Sequence, residues 1–405
     1  MNVDVAVIGA GPAGSVLAAL LAWRGARVAL IERTTFPRDK VCGEFLSYDA
    51  LPLLERLNLV DDLDHHGSPT IRRCRIVGRH RQYEFLLPEP ARGVSRLLLD
   101  DLLFRKAVAH GAEPWEGWTA DSIEAHSVAL SRNGEHVSIA ARVVAGAWGR
   151  WGRFDAQLGR AFVRDRAHRN FGFKRHYRRE PASAALQHDV IELHSLGRGY
   201  LGVNDIEGGL TNICGLVHSS RLAGHRGRWE SFVDMLRAEE PSLETMYSAY
   251  EPAQDDFLSS EPVIFRARRP VEGGLFMAGD ASGVVDPLTG NGMAMAIQSA
   301  LLLAPLLLRL LANGAQRAAI ESEYAVAHAA MFRPRIAWSR RIAGLLSHPT
   351  ALDNALRIAR GNAIGGFLVR RTRSDHAAVA RLADVFFKSA EGRVQSAGGA
   401  PVGPS

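Results

Sequence analysis

A short run rich in β-branched residues, Val3-Asp4-Val5-Ala6-Val7-Ile8, leads straight into Gly9-Ala10-Gly11-Pro12-Ala13-Gly14. Runs of this kind form strands buried on both faces of a parallel sheet. Ser15 to Arg24 then reads as a helix, and Arg27 to Ile31 as a second strand running into Glu32 and Arg33. The spacing is G-x-G-x-x-G between strand and helix, with an acid closing the next strand. The three glycines serve different ends. Gly9 permits the tight turn, Gly11 lets the backbone approach a pyrophosphate, and Gly14 lets helix and strand pack closely. The free N–H groups and positive dipole end of the helix favour phosphate. Glu32 can accept hydrogen bonds from ribose hydroxyls, and a carboxylate there disfavours a 2′-phosphate. Pro12, Ala13 and Arg33 lie within the same unit, and all seven residues are expected to contact a bound dinucleotide.

A second motif far downstream identifies the dinucleotide. Phe276-Met277-Ala278-Gly279-Asp280 reads as a strand ending in Gly-Asp, followed by Pro287-Leu288-Thr289-Gly290-Asn291-Gly292 and a long apolar helix from Met293. This pair strongly resembles the second FAD motif of the para-hydroxybenzoate hydroxylase-like flavoproteins, which include aromatic hydroxylases, flavin-dependent halogenases and geranylgeranyl reductases. The resemblance implies FAD as cofactor. It puts Asp280 on the flavin-side ribose, and the turn Pro287, Gly290, Asn291, Gly292 and Met293 against the isoalloxazine ring. A helix N-terminus there stabilises negative charge on reduced flavin.

Three further segments resemble the same superfamily. Phe36-Pro37-Arg38-Asp39-Lys40-Val41-Cys42-Gly43 is similar to the F-P-R-x-K-x-C-G loop of geranylgeranyl reductase-like and halogenase-like members, which passes the flavin with its basic residues on the adenosine side. Cys42 is either a small buried filler or a redox group. Val94-Ser95-Arg96-Leu97-Leu98-Leu99-Asp100 matches a V-x-R-x-x-L-D helix start, whose arginine lies along the pyrophosphate; Arg96 takes that role by resemblance. The dipole disfavours a plain surface arginine there. In Gly146-Ala147-Trp148-Gly149-Arg150-Trp151-Gly152 the hydroxylases carry G-A-D-G-x-x-S, which serves both FAD and NAD(P)H. Trp148 replaces that aspartate and Gly152 the serine, so the electron source is NAD(P)H used differently or a partner reductase.

The 405 residues suggest two or three domains, and 47% hydrophobic with 23% charged residues is ordinary for a globular core. An odd number of cysteines, Cys42, Cys74 and Cys214, without C-x-x-C spacing, disfavours a disulfide framework and favours a reducing cytoplasm. The N-terminus enters β-structure at once, so no secretory leader is expected. No metal constellation emerges, since His65 and His66 are adjacent and no helical His pair carries nearby acids. The modest net charge of +6 gives no nucleic-acid signature.

Thr70 to Leu87 alternates as strands broken at Gly78. Asn170 to Ile264 reads as the main body of the substrate domain, with strand candidates at Val190–His194, Gly199–Val203 and Thr211–Val217, and a helix at Trp229–Glu239. Asn133-Gly134 marks a hairpin. Lys174, the one lysine in this block, reads as a solvated strand residue. His176, His194 and Tyr200 are catalytic candidates by location only. The reductase signature Y-x-W-x-F-P survives only as Tyr200, and the halogenase W-x-W-x-I-P is absent. Met293 to Leu311 reads as a buried helix rather than a membrane span. Downstream, Arg333, Arg335, Arg340, Arg341, Arg357, Arg360, Arg370, Arg371 and Arg373 face one acid, Asp353, over residues 325–374. This is either a solvated face or the dock of an acidic carrier protein, a peptide or a membrane surface. Glu391 to Ser405 is expected to be disordered.

The expected fold class is therefore α/β: a discontinuous Rossmann-like FAD-binding domain (1–69, 92–165, 265–312), an inserted antiparallel-sheet substrate domain (70–91, 166–264), a C-terminal helical arm (313–390) and a tail. The expected activity is FAD-dependent monooxygenation of a small or tethered aromatic substrate through a flavin hydroperoxide. Double-bond reduction, then halogenation, are the alternatives, with a non-enzymatic flavin-stabilised binding protein last.

Overall fold

The strand Asn2–Ile8 takes the centre of a parallel sheet because its small and branched side chains bury on both faces; Val5, Ala6 and Val7 are wholly enclosed. It pairs in parallel with Val28–Glu32 on one side and with the end of Glu135–Gly146 on the other. Leu275–Met277 and Glu113–Glu116 extend the sheet outward, so segments far apart in sequence build one layer. Ser127–Arg132 joins Glu135–Gly146 through a two-residue turn in which Asn133 and Gly134 both have positive φ, +49° and +84°. The computed structural model describes residues 1–150, 152–165, 169–180, 188–222, 225, 228–254, 257–260, 262–265, 268–313 and 316–397.

The inserted segments form a second sheet. Thr70–Val77 and Gln82–Gly93 are an antiparallel pair, and Val190–Leu196, Gly199–Ile206, Leu210–His218 and Asn170–Arg179 follow in antiparallel order. One junction departs from the antiparallel expectation: Val190–Leu196 runs parallel to Thr70–Val77. That junction stitches the two inserted segments together. The helix Trp229–Glu239 covers one face with Phe232 and Leu236.

The helix Gly292–Asn313 is long and apolar enough to cross a membrane, yet most of its apolar stretch is buried in protein. Its side chains pack with those of Pro12–Trp23 in the main core. Four more helices follow: Arg317–Leu346, Pro349–Ile358, Ala363–Thr372 and His376–Ala397. They wrap the body rather than project from it. Tyr83 donates its hydroxyl to the Gly361 carbonyl at 2.6 Å, and Arg24 reaches the Phe386 carbonyl at 3.0 Å.

Three sequence expectations change here. Arg335 and Arg373 are buried, so they do not belong to a solvated face. Lys174 is 1% exposed and ion-paired, because the strand Asn170–Arg179 turns that face toward the Arg38–Glu44 loop. The last helix runs through the start of the expected disordered tail to Ala397, while residues 398–405 lie outside those described, as does Trp151.

Candidate flavin site

The strands Asn2–Ile8, Val28–Glu32, Glu135–Gly146 and Leu275–Met277 end on one edge of the parallel sheet, where ligands bind in folds of this kind. A cavity of about 540 Å³ opens there and continues beneath the second sheet. Its wall includes Gly9, Gly11, Pro12 and Ala13 from the fingerprint, and Glu32 and Arg33 from the second strand. Arg38, Cys42 and Gly43 join from the basic loop, with Arg96 from the helix Arg96–Ala109. Gly279, Asp280, Pro287, Gly290, Gly292 and Met293 close the far side, and Tyr200 comes from the second sheet.

Four of the residues singled out in the sequence lie off the wall. Gly14 is a packing residue: a Cβ there would fall 1.8 Å from the Gly9 carbonyl oxygen. Asn291 turns its amide away, accepting from Arg335 Nη2 at 2.6 Å and donating to the Thr372 carbonyl. His176 is held by Glu44, with Nε2 2.7 Å from Oε2, and His194 by Glu192 at 3.1 Å. Of the three catalytic candidates, only Tyr200 reaches the cavity.

The phosphate end is strongly organised. Glu32 Oε2 accepts the Ala10 N–H at 3.0 Å and meets Arg38 Nη2 at 3.3 Å, while Arg38 and Arg96 share Asp100 at 2.8 and 2.6 Å. Burial pushes the Glu32 carboxyl up, but Arg38, the Ala10 N–H and Thr34 outweigh it and hold it below the usual range. A Cβ at Gly11 would meet nothing nearer than 3.9 Å, the Arg96 guanidinium, so this backbone faces open space. Arg38 Nε and Trp148 Nε1 are buried, on residues of the cavity wall, and have no partner within the protein. Buried donors without acceptors call for a ligand that supplies acceptors. A dinucleotide does so, and these residues fit it.

Trp148 stands where an aspartate would link flavin and nicotinamide. Its indole lies over Gly146, where a Cβ would come 2.0 Å from the ring, and beside Gly152, at 3.3 Å. It also packs on Phe154 at 5.2 Å. The indole therefore depends on a bare Gly146, while a side chain at Gly152 would crowd it by only a few tenths of an ångström.

Sequence reasoning missed a buried charge network beside the cavity. Glu44, at φ +54° and fully buried, takes Lys174 Nζ at 2.6 Å and the Arg96 N–H at 2.8 Å on one oxygen, and His176 on the other. Lys174 also meets Asp39 at 2.5 Å. Burial lowers the Lys174 ammonium, but Glu44 and Asp39 outweigh it and raise it above the ordinary lysine value. Asp39, Glu44 and His176 bring ligand atoms within 4.8 Å of one another, and the ammonium already supplies their positive charge.

Asp286, one residue before the flavin-side turn, is also buried. Its Oδ1 accepts the Leu288 N–H at 3.1 Å, yet burial outweighs that bond and pushes the carboxyl up to about 7. A folded-state value above the unfolded one favours the protonated form, so the stabilisation is complete below about pH 4 and disappears as pH rises toward about 7. Asp286→Asn should flatten the fall in melting temperature across that window. A slope equal to that of the parent protein would count against this assignment.

The model of the FAD binding domain family matches residues 2–196 and 259–331. The chain belongs to that family. A menaquinone reductase of Mycobacterium tuberculosis is 29% identical over 343 residues, covering 76% of each protein. A 1H-pyrrole-2-carbonyl-[peptidyl-carrier protein] brominase of Pseudoalteromonas luteoviolacea is 35% identical over 123 residues, 30% of each. Against four relatives, the brominase included, the match spans only 30% to 61% of their length. Among solved structures, a geranylgeranyl bacteriochlorophyll reductase-like protein of Thermoplasma acidophilum superposes with a TM-score of 0.74 at 19% identity, covering 98% of this chain and 99% of that one. That likeness speaks for the fold.

Proposed function

We propose that this FAD-dependent oxidoreductase is a monooxygenase acting on an aromatic or otherwise electron-rich substrate. FAD, when bound, would supply activation of dioxygen. The first turn of Pro12–Trp23, Arg38 and Arg96 would hold its phosphates, Glu32 and Asp280 its riboses, and the N–H groups of the Pro287–Gly292 turn its ring. The cavity's apolar part, with Ile191, Leu193, Leu216 and Val284, would exclude water and orient the substrate. The Tyr200 phenol is raised well above the ordinary tyrosine value, by burial first and then by Asp286, and so stays a hydrogen-bond donor to a substrate oxygen.

The observation that carries this reading is the state of the lysines. Tryptophan halogenases of the superfamily this chain resembles carry a catalytic lysine. Here Lys174 is locked between two carboxylates off the cavity wall, and Lys40 stands by Glu32, Arg33 and Arg38 at the adenosine end. The second reading is reduction of a double bond, favoured by the menaquinone reductase relative over three quarters of both chains. A tethered substrate is favoured by the name of the brominase relative. Electrons would come from NAD(P)H or a partner reductase.

The test is a single turnover. Chemically reduced holoenzyme, mixed with substrate and then with isotopically labelled dioxygen, should yield product carrying the label. This order bypasses the nicotinamide step that Trp148 alters, and reduction by NAD(P)H alone should be slow. Unlabelled, reduced product formed anaerobically would replace the monooxygenase with the reductase. Halogenated product that requires halide would replace it with the halogenase.

A further inference from the structure

Of the nine arginines between Arg333 and Arg373, seven face solvent, and among the described residues none of the seven is ion-paired. From Arg333 onward lie five of the nine exposed large hydrophobic side chains among the described residues: Ile358, Ile364, Phe367, Leu382 and Val385. Members of both sets, Arg341, Phe367, Arg370, Arg371 and Leu382, meet around Trp338. On the helix Ala363–Thr372, Gly365 and Gly366 pack inward, while Ile364, Phe367, Arg370 and Arg371 point out at helical spacing. Arg371 lies over both Phe367 and Trp338, at 5.1 and 5.9 Å, and Arg341 over Trp338 at 5.3 Å.

A groove of about 300 Å³ runs through this face between the helices Arg317–Leu346, Ala363–Thr372 and His376–Ala397. Arg335, Arg370, Arg371 and Arg373 line it with Trp338 and Leu382. Arg373 is buried and its Nε has no partner within the protein. The one carboxylate on the groove, Asp375, caps the last helix by accepting the Ala378 N–H at 3.2 Å.

We infer that this face docks on an anionic phospholipid surface, with the groove taking a headgroup phosphate. The inference goes beyond the proposed reaction and does not depend on it. Charge complementarity demands an anionic partner. A protein interface gathers its apolar residues at the centre and its charges at the rim. Here guanidinium groups stack on aromatic rings across two helices, with apolar side chains exposed between them. That is the pattern of side chains that place rings and aliphatic groups at the acyl boundary and cations at the phosphates. The placement also has a structural link inward: Arg373 donates to the Thr289 carbonyl of the flavin-side turn.

The experiment is sedimentation of the full-length holoprotein with vesicles. Binding to phosphatidylglycerol vesicles is expected, with little binding to phosphatidylcholine vesicles and release at about 0.5 M salt. Each arginine near an anionic surface is worth roughly five-fold in partitioning, so Arg370→Glu with Arg371→Glu should weaken binding by at least about 25-fold. Phe367→Ser should weaken it without changing the salt dependence. Retained FAD in each variant reports that the fold is intact. Equal binding to both vesicle types, or unchanged binding by the charge-reversed variant, would overturn the inference. So would failure to bind vesicles together with arginine-dependent binding to a purified acidic carrier protein or to inorganic phosphate alone.

Discussion

Gly11→Val is expected to give soluble protein that retains no FAD. The Gly11 backbone faces the cavity, and an added Cβ meets no protein atom within 3.9 Å, so the folded chain accommodates the side chain. The branched methyls would instead fill the space a pyrophosphate needs against the helix N-terminus. Gly14→Ala is predicted to fail differently. Its Cβ would overlap the Gly9 carbonyl oxygen, a backbone atom that cannot yield without parting strand from helix. Flavin absorbance per chain should fall from stoichiometric to background in Gly11→Val with its circular dichroism preserved, whereas Gly14→Ala should lose folded protein as well. Undiminished FAD in Gly11→Val would show that the cofactor does not lie along this turn.

The second large effect concerns the buried lysine. Lys174→Met removes the only ammonium from a site that holds the Glu44 and Asp39 carboxylates, with Glu44 fully enclosed. Removing one partner of such a buried pair leaves an uncompensated charge and costs about 3–5 kcal/mol. In a chain of this size that should lower the melting temperature by about 4–6 °C. Lys174→Met combined with Glu44→Gln should be less damaged than Lys174→Met alone, because the fully enclosed one of the two stranded charges is gone. Glu44 also anchors the Arg96 N–H and His176, so the single variant should hold FAD more weakly as the basic loop loosens. Melting temperatures of the two variants decide the matter: a Lys174→Met protein as stable as its parent would return Lys174 to a solvated role.

Much of the nucleotide end could be read from the linear chain. A parallel strand, a glycine turn and a helix start are local events, governed by φ/ψ freedom and side-chain size over about ten residues. The hairpin at Asn133-Gly134 and the helix Trp229–Glu239 were legible for the same reason. The catalytic candidates were not, because location along a strand does not say which face a side chain takes. Tyr200 points into the cavity, whereas His176 and His194 turn to carboxylates instead.

The sequence by itself determined the FAD-binding architecture, since its motifs are short-range geometry written in glycines and periodic apolar residues. Only the tertiary structure decided which charges are buried and what they meet. Lys174 and Glu44 are 130 residues apart, and Arg335 and Asp49 are 286 apart. No local pattern announces such partners. Both pairs exist because sheet and helix packing brings distant segments into one dry space, where an unpaired charge could not remain.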